Sequence, residues 1–287
     1  MSRSDDTNYL ISRRGVIAGA AAALAIATIE FEAAAETLSE KIKNGHPVIV
    51  ATEDDYRPFE FMQDGKPAGL DNALFAKLKA QTTFNLQQQI LPWTGILAGV
   101  STGKFDAAVT GALVNKERMK AFDFAMPIAM DSSRYLIRKG DTSIKSIKDL
   151  SGKTCGVQAG SVLYAKLPEL AAMIEKTGGK MGKVVQYTSY PEAYQDLASG
   201  RTDYVVNGYI TLLTMTKDRP GVFEISKEAV SSPSYQAWPV KKGNKEMLDF
   251  LNAFLKKERA SGDLVKEQQK WLGISFPNLP EVATSKV

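Results

Sequence analysis

From Pro47 onward, short apolar runs alternate with stretches whose apolar residues recur every three or four positions. Val48-Ile49-Val50-Ala51 has strand length and ends at the polar cluster Glu53-Asp54-Asp55. Asp71 stands where it can cap a helix over 72–81, whose Leu74, Phe75 and Leu78 share one face. Residues 84–90 alternate as a strand, 93–102 form a short helix closed by Gly103, and 106–110 form another strand. Asn115 then caps a short helix over 116–120. The rhythm restarts with a strand over 154–157 and a helix opened by Gly160-Ser161, which runs towards Lys176 and is interrupted at Pro168. A strand over 184–188, a helix over 191–199 and a strand over 203–207 follow. Residues 244–269 are helical in two pieces split at Ser261-Gly262, with Met247, Leu248, Leu251, Phe254 and Leu255 as a core-facing stripe.

This βαβ order predicts an α/β protein of two units, each a parallel sheet covered by helices on both faces. The extended, Ser/Pro-containing segments 131–137 and 231–240 flank the second unit. Read as two parallel connectors, they make a hinge.

Ahead of this pattern stands Ser12-Arg13-Arg14-Gly15-Val16-Ile17, then an Ala/Gly-rich stretch over 18–29 and the small residues Ala33-Ala34-Ala35. Twin arginines before a weakly apolar segment read as a bacterial export address, so the chain beyond about Glu36 is expected to work outside the cytoplasm. A membrane anchor is the competing reading, but the run falls short of a ~20-residue span. Ala25-Ile26-Ala27 offers a second cleavage site. Without residues 1–35 the chain has 252 residues, with 33 basic and 28 acidic side chains and a net charge of +5. That mild, scattered excess is no nucleic-acid footprint. A single cysteine, Cys155, excludes an internal disulfide, and its strand-like surroundings read as packing. With His46 as the one histidine, neither a Ser-His-Asp triad nor a His/Cys metal site is expected, and no cofactor is implied.

A series of motifs runs in order along the chain, opening with Thr52-Glu53-Asp54-Asp55-Tyr56-Arg57-Pro58-Phe59-Glu60-Phe61, Gly65-Lys66-Pro67-Ala68-Gly69-Leu70-Asp71 and Trp93-Thr94-Gly95-Ile96-Leu97. Gly103-Lys104-Phe105-Asp106, Glu117-Arg118 and Phe122-Asp123-Phe124-Ala125-Met126-Pro127 continue it. Asp149-Leu150-Ser151-Gly152-Lys153, Gly156-Val157-Gln158-Ala159-Gly160-Ser161 and Leu197-Ala198-Ser199-Gly200-Arg201-Thr202-Asp203 complete it. This order, over about residues 46–274, resembles the family-3 periplasmic solute-binding proteins of ABC importers, the polar-amino-acid group. It implies a two-lobed, type II periplasmic-binding fold: two parallel or mixed sheets flanked by helices and joined by two hinge connectors. The expected division is signal 1–35, first lobe 36–130, second lobe 131–232, return to the first lobe 233–275, and a tail 276–287.

Physical reading of the cleft supports part of what the resemblance implies. Arg118 follows a strand at its carboxyl edge, where open α/β sheets bind ligands, and a guanidinium can grip a carboxylate through two parallel hydrogen bonds. A surface arginine paired with Glu117 or Asp123 is the alternative. Ser161 and Val162 start a helix whose first N–H groups suit an anion. By resemblance, Tyr56 and Trp93 enclose the ligand, Glu53 lies beside it with Asp54 and Asp55 nearby, and Gly111, Leu113, Asn207 and Gly208 complete the site.

Three departures stand out. Leu113 and Asn115 replace the family's usual hydroxyl residues, Ala73 replaces an acid, and Gly208 replaces the aspartate usually paired with the ligand's α-ammonium. Losing that pair forfeits a charge-assisted hydrogen bond of ~1.5–3 kcal/mol, unless Glu53, Asp54 or Asp55 substitutes or the ligand lacks an α-amino group. The expected function is a monomeric, periplasmic, non-enzymatic receptor that passes an amino acid or related carboxylate to an inner-membrane ABC permease. A dehydratase acting on cyclohexadienyl acids and a receptor that signals to a sensor are the alternatives.

Overall fold

The computed structural model describes residues 36–285; the expected export signal lies outside the described residues. The chain enters with α1 (Leu38–Asn44) and β1 (Val48–Glu53). A small meander of β2 (Asp55–Tyr56), β3 (Glu60–Gln63) and β4 (Lys66–Ala68) follows. Next come α2 (Leu70–Ala80), β5 (Leu86–Leu91), α3 (Trp93–Thr102), β6 (Ala107–Ala108), α4 (Arg118–Ala121) and β7 (Phe122–Phe124). β8 (Ala129–Asp131) leads into β9 (Ser133–Arg138), β10 (Cys155–Gln158), α5 (Val162–Ala165), α6 (Leu167–Glu175) and β11 (Val184–Tyr187). α7 (Tyr190–Ala198), β12 (Tyr204–Gly208), α8 (Tyr209–Asp218) and β13 (Phe223–Ile225) complete that stretch. β14 (Ser234–Gln236), β15 (Pro239–Lys241), α9 (Lys245–Ala260) and α10 (Asp263–Leu272) close the chain.

Two five-stranded sheets result, ordered β5-β1-β6-β15-β7 and β11-β10-β12-β9-β13. Both are mixed rather than purely parallel. β1 is parallel to β5 and β6, but β15 returns antiparallel between β6 and β7. β10 is parallel to β11 and β12, whereas β9 runs antiparallel to β12 and β13. The connecting segments also differ from the parallel pair expected. β8 and β14 form a two-stranded antiparallel sheet, and residues 133–138 belong to the second sheet as β9. Opposed chain direction explains this, because one segment leaves the first sheet and the other returns to it.

Apolar spacing explains how the helices seat. Trp93, Ile96 and Val100 of α3 pack with Ala51, Ala108 and Phe105. Leu167, Leu170 and Ile174 of α6 and Met247, Leu251, Phe254 and Leu255 of α9 are buried in the main core. Each such side chain contributes about 1.5–3 kcal/mol of transfer free energy. Lys166 separates α5 from α6, whose first turn holds Pro168. Cys155 is wholly buried, and burial pushes its thiol up to about 12. His46 lies in an exposed loop against Glu36 at 2.8 Å.

The start of α2 corrects the expectation for Asp71. Leu70 and Asp71 donate their N–H groups to the carbonyls of Pro58 and Phe59 at 3.1 and 2.8 Å, so the helix begins before Asp71. Gly69 is the residue before the first turn, with φ 103°. A Cβ there would lie 2.4 Å from the Phe59 carbonyl oxygen, so both the dihedral and the close approach demand glycine. Asp71 is instead buried in the first turn and accepts a hydrogen bond from Trp238 Nε1. β6 is only two residues long, and α4 is a single turn starting at Arg118, where Asn115 Oδ1 accepts from the Arg118 N–H at 2.8 Å. α1, α8 and β13 were not expected from the sequence pattern.

Gly69→Ala is expected to lower stability by at least roughly 1–3 kcal/mol, the cost of one strained dihedral. Chemical denaturation with a wild-type midpoint would contradict the tight approach of α2 to Phe59.

Candidate functional site

The carboxyl ends of the parallel strands converge on one pocket of about 280 Å³ of empty space. β1 ends at Glu53, with Tyr56 just beyond in β2; β5 leads into Trp93, the first residue of α3. The loop after β6 supplies Gly111 and Leu113 and then Arg118. From the second sheet, β10 ends at Gln158 and turns through Gly160 into Ser161 and Val162. Eight of the ten residues named from the sequence therefore line this pocket: Glu53, Tyr56, Trp93, Gly111, Leu113, Arg118, Ser161 and Val162. Gln158, Leu163 and Tyr190 line it as well and were missed. The strand-end rule that singles out Arg118 also applies to Gln158, at the end of β10, and to Tyr190, at the start of the helix after β11.

Arg118 is 9% exposed. Its Nη1 donates to the Leu113 carbonyl at 2.8 Å and its Nη2 to the Gly160 carbonyl at 3.1 Å, so it touches chain from both sheets. The guanidinium carbon lies 4.9 Å from the Trp93 ring centroid. Burial lowers the Arg118 pKa to about 10, while Glu53 and Tyr56 oppose the shift, so the group stays charged at neutral pH. The alternative partners are taken elsewhere: Glu117 pairs with Lys120 and Asp123 with Lys242. Two of the guanidinium's five N–H donors are thus spoken for, both by neutral carbonyls.

Glu53 is not a solvated loop acid. It is 5% exposed, and Gln158 Nε2 donates to its Oε1 at 2.6 Å across the two sheets. Burial pushes its carboxyl up to about 8 despite that bond, so it is mostly protonated at neutral pH. Tyr56 stacks on Phe59 at 5.6 Å and meets Tyr190 at 6.0 Å. Gly111 contributes room rather than a donor: its N–H donates to Glu60 Oε1 at 3.0 Å, and a Cβ on it would stand 3.2 Å from Tyr56 and Phe59. Glu60 and Asp71 are buried side by side behind this loop. Burial raises both carboxyls, Glu60 further because Asp71 lies beside it.

Ser161 is 8% exposed, but its hydroxyl is committed to the local turn: Oγ donates to the Gln158 carbonyl at 2.8 Å and accepts from the Tyr164 N–H at 3.1 Å. What α5 offers the pocket is its first turn of backbone, not the serine side chain. Asn207 and Gly208 do not line this pocket. Asn207 is a buried strut, its Nδ2 donating to Tyr194 Oη at 2.7 Å and its Oδ1 accepting from the Gly208 N–H at 2.7 Å and from Tyr56 Oη at 3.4 Å. Gly208 lines an adjoining cavity that shares Leu113 and Leu163 with the first. Asp55 faces a separate cavity beyond Tyr56 and Tyr190. Among the described residues, no group of three His, Cys, Asp or Glu is placed to hold a metal ion.

The family model described as "Bacterial extracellular solute-binding proteins, family 3" matches residues 48–274, which hold both sheets and the whole pocket. The chain belongs to this family. Among relatives of this family-3 protein, the L-cystine-binding protein TcyJ of Escherichia coli (strain K12) is 27% identical over 240 residues, covering 83% of this chain and 87% of the relative. An ancestral arginine-binding protein bound to arginine is 31% identical with a TM-score of 0.70, covering 78% of this chain and 97% of that one. AncCDT-1, an ancestral amino acid-binding protein and precursor of cyclohexadienyl dehydratase, aligns at a TM-score of 0.72 with 27% identity, covering 83% and 100%. The family-3 protein thus has the two-sheet periplasmic-binding architecture, and its place of work is extracytoplasmic.

The buried Glu53 of this solute-binding protein carries a pH signature. Its carboxyl is raised above the unfolded value, so its contribution to stability is full below about pH 4.5 and is lost as pH rises towards 8. Glu53→Gln cannot ionise, so its melting temperature relative to wild type is expected to climb between pH 5 and pH 8. Parallel melting curves across that range would show Glu53 to be solvated.

Proposed function

We propose that the pocket captures an amino acid or a related small carboxylate-bearing solute and that the protein hands it to an ABC importer in the inner membrane. The observation that carries this reading is Arg118, a buried cation whose guanidinium, among the described residues, hydrogen-bonds to two neutral carbonyls and faces a pocket built from both sheets. A ligand carboxylate is the partner its remaining donors suit, and the first-turn amides of α5 favour the same charge. Trp93, Tyr56 and Tyr190 supply aromatic walls for the rest of the ligand. A few charge-assisted bonds plus this burial are enough for micromolar affinity, ~−8 kcal/mol.

The two sheets act as lobes over 36–130 with 233–275 and over 131–232, with β8 and β14 as the hinge. Residues 276–287 form the tail. A ligand touching both lobes binds the closed form better and so shifts the population towards it. The protein works as a monomer. Its relatives bind cystine or arginine by name and are binding proteins rather than enzymes, and this chain is likewise a binding protein. Export runs by the twin-arginine route, with Arg13 and Arg14 as the address.

Arg118→Lys keeps the charge but loses the planar fork. Its affinity for L-arginine or L-cystine is expected to fall roughly ten- to a hundredfold, with Arg118→Ala showing no measurable binding. Calorimetry returning wild-type affinity for either variant would contradict the assigned role. Replacing both Arg13 and Arg14 by lysine is expected to leave the precursor in the cytoplasm. Undiminished periplasmic protein in cell fractions would rule out the twin-arginine route.

A further inference from the structure

Gly208 has no backbone reason to be glycine. Its φ and ψ are −61° and 141°, a conformation open to any residue. The space beside it is what excludes a side chain: a Cβ on Gly208 would lie 2.5 Å from Asp131 Oδ2. The next nearest side-chain atom from elsewhere is Tyr56 Oη, at 3.6 Å. Sheet register explains how Asp131 arrives there. β9 runs antiparallel to β12 with Ser133 opposite Gly208, so Asp131, two residues before Ser133, is delivered to the end of β12 and the start of α8.

The carboxylate is held firmly in that place. Oδ1 accepts from the N–H groups of Ser132 and Tyr209 at 2.8 and 3.2 Å, and Oδ2 accepts from the Ile210 N–H at 3.1 Å. Asp131 is 8% exposed and, among the described residues, no lysine, arginine or histidine comes within ion-pair distance of it. Lys166 lines the same cavity, but its Nζ donates to Ser232 Oγ at 3.0 Å and to the carbonyls of Ser232 and Pro233. The cavity holding Asp131 and Gly208 adjoins the Arg118 pocket through their shared Leu113 and Leu163. Two adjoining cavities therefore hold, among the described residues, a cation without an anion in one and an acid without an ion-pair partner in the other. A zwitterion fits that field, and a simple carboxylate does not use it.

We infer that Asp131, reaching into the space that Gly208 leaves open, holds the ammonium group of an amino-acid ligand whose carboxylate lies on Arg118. This rests on the function proposed above and narrows its ligand to amino acids with a free α-ammonium. It also reassigns the acidic partner, which comes from the hinge strand β8 and not from Glu53, Asp54 or Asp55.

Calorimetry with L-arginine and L-cystine, each beside its Nα-acetylated form, tests the assignment. Wild-type protein is expected to prefer the free ammonium strongly. Asp131→Asn keeps an acceptor for the Tyr209 N–H, and is expected to weaken the free form roughly ten- to a hundredfold while leaving the acetylated form unchanged. The double variant Asp131→Gly/Gly208→Asp returns a carboxylate to the same spot from the other strand and is expected to regain the preference. It also carries the test should Asp131→Asn fail to fold. A wild-type preference surviving in Asp131→Asn, or a double variant without preference, overturns the role of Asp131 while amino-acid binding stands. A wild-type protein that binds neither ligand, nor any other amino acid, overturns the proposed function and this inference with it.

Discussion

A guanidinium buried without an anion is the constraint around which the cleft is organised. Taking a full charge out of water is costly, and neutral carbonyls offset only part of that cost. Arg118 tolerates burial because Leu113 and Gly160 each turn a carbonyl to it and Trp93 lies against its face. None of these neutralises the charge. Glu53, the acid that could, is held by Gln158, and burial favours its neutral form. The electrostatic demand of Arg118 is therefore left open to whatever enters the pocket.

The fold meets that constraint through topology. Strands running in one direction place their carboxyl ends, and the turns that follow them, along a single edge, so Glu53, Trp93, Leu113, Gln158 and Ser161 meet although more than one hundred positions separate the first from the last. The antiparallel strands perform a different task. β15 ties the returning chain into the first sheet between β6 and β7, while the pairing of β9 with β12 brings Asp131, at the end of β8, to the end of β12. β8 and β14 form a two-stranded sheet of their own, tied to the loop after β6 by a bridge between Gln236 and Leu113. In the proposed function, a ligand that contacts both sheets acts on the population of the closed form.

Much of the fold was legible in the sequence where apolar period and punctuation agree. The α3 helix runs from Trp93 to Thr102 and closes at Gly103, as the pattern indicates, and the split at Ser261-Gly262 separates α9 from α10. The errors have physical causes. Asp71 looks like a cap because nothing local reveals that Pro58 and Phe59 bond to the first N–H groups of α2. α8 is rich in β-branched and short polar residues, Tyr209-Ile210-Thr211-Leu212-Leu213-Thr214, so neither propensity nor period announces it. The family resemblance implies parallel or mixed sheets and both sheets are mixed, whereas the βαβ order alone reads as parallel, because a strand's direction is not written in its composition. At the site, residues at strand ends could be read and side-chain commitments could not. Ser161 spends its hydroxyl on its own turn, Gly111 gives its N–H to Glu60, and Asn207 braces Tyr194. Asp131 lies far in sequence from Gly208, and only the pairing of β9 with β12 reveals that one occupies the space of the other.

The charge pattern of the cleft, a buried cation facing a pocket built from both sheets, is tested most directly by a crystal structure of the protein with its tightest-binding amino acid. The expected result is a ligand carboxylate within hydrogen-bond distance of the Arg118 guanidinium and the first-turn amides of α5, enclosed by Tyr56 and Trp93. A ligand carboxylate seated elsewhere, with Arg118 still bonded only to the carbonyls of Leu113 and Gly160, would contradict it.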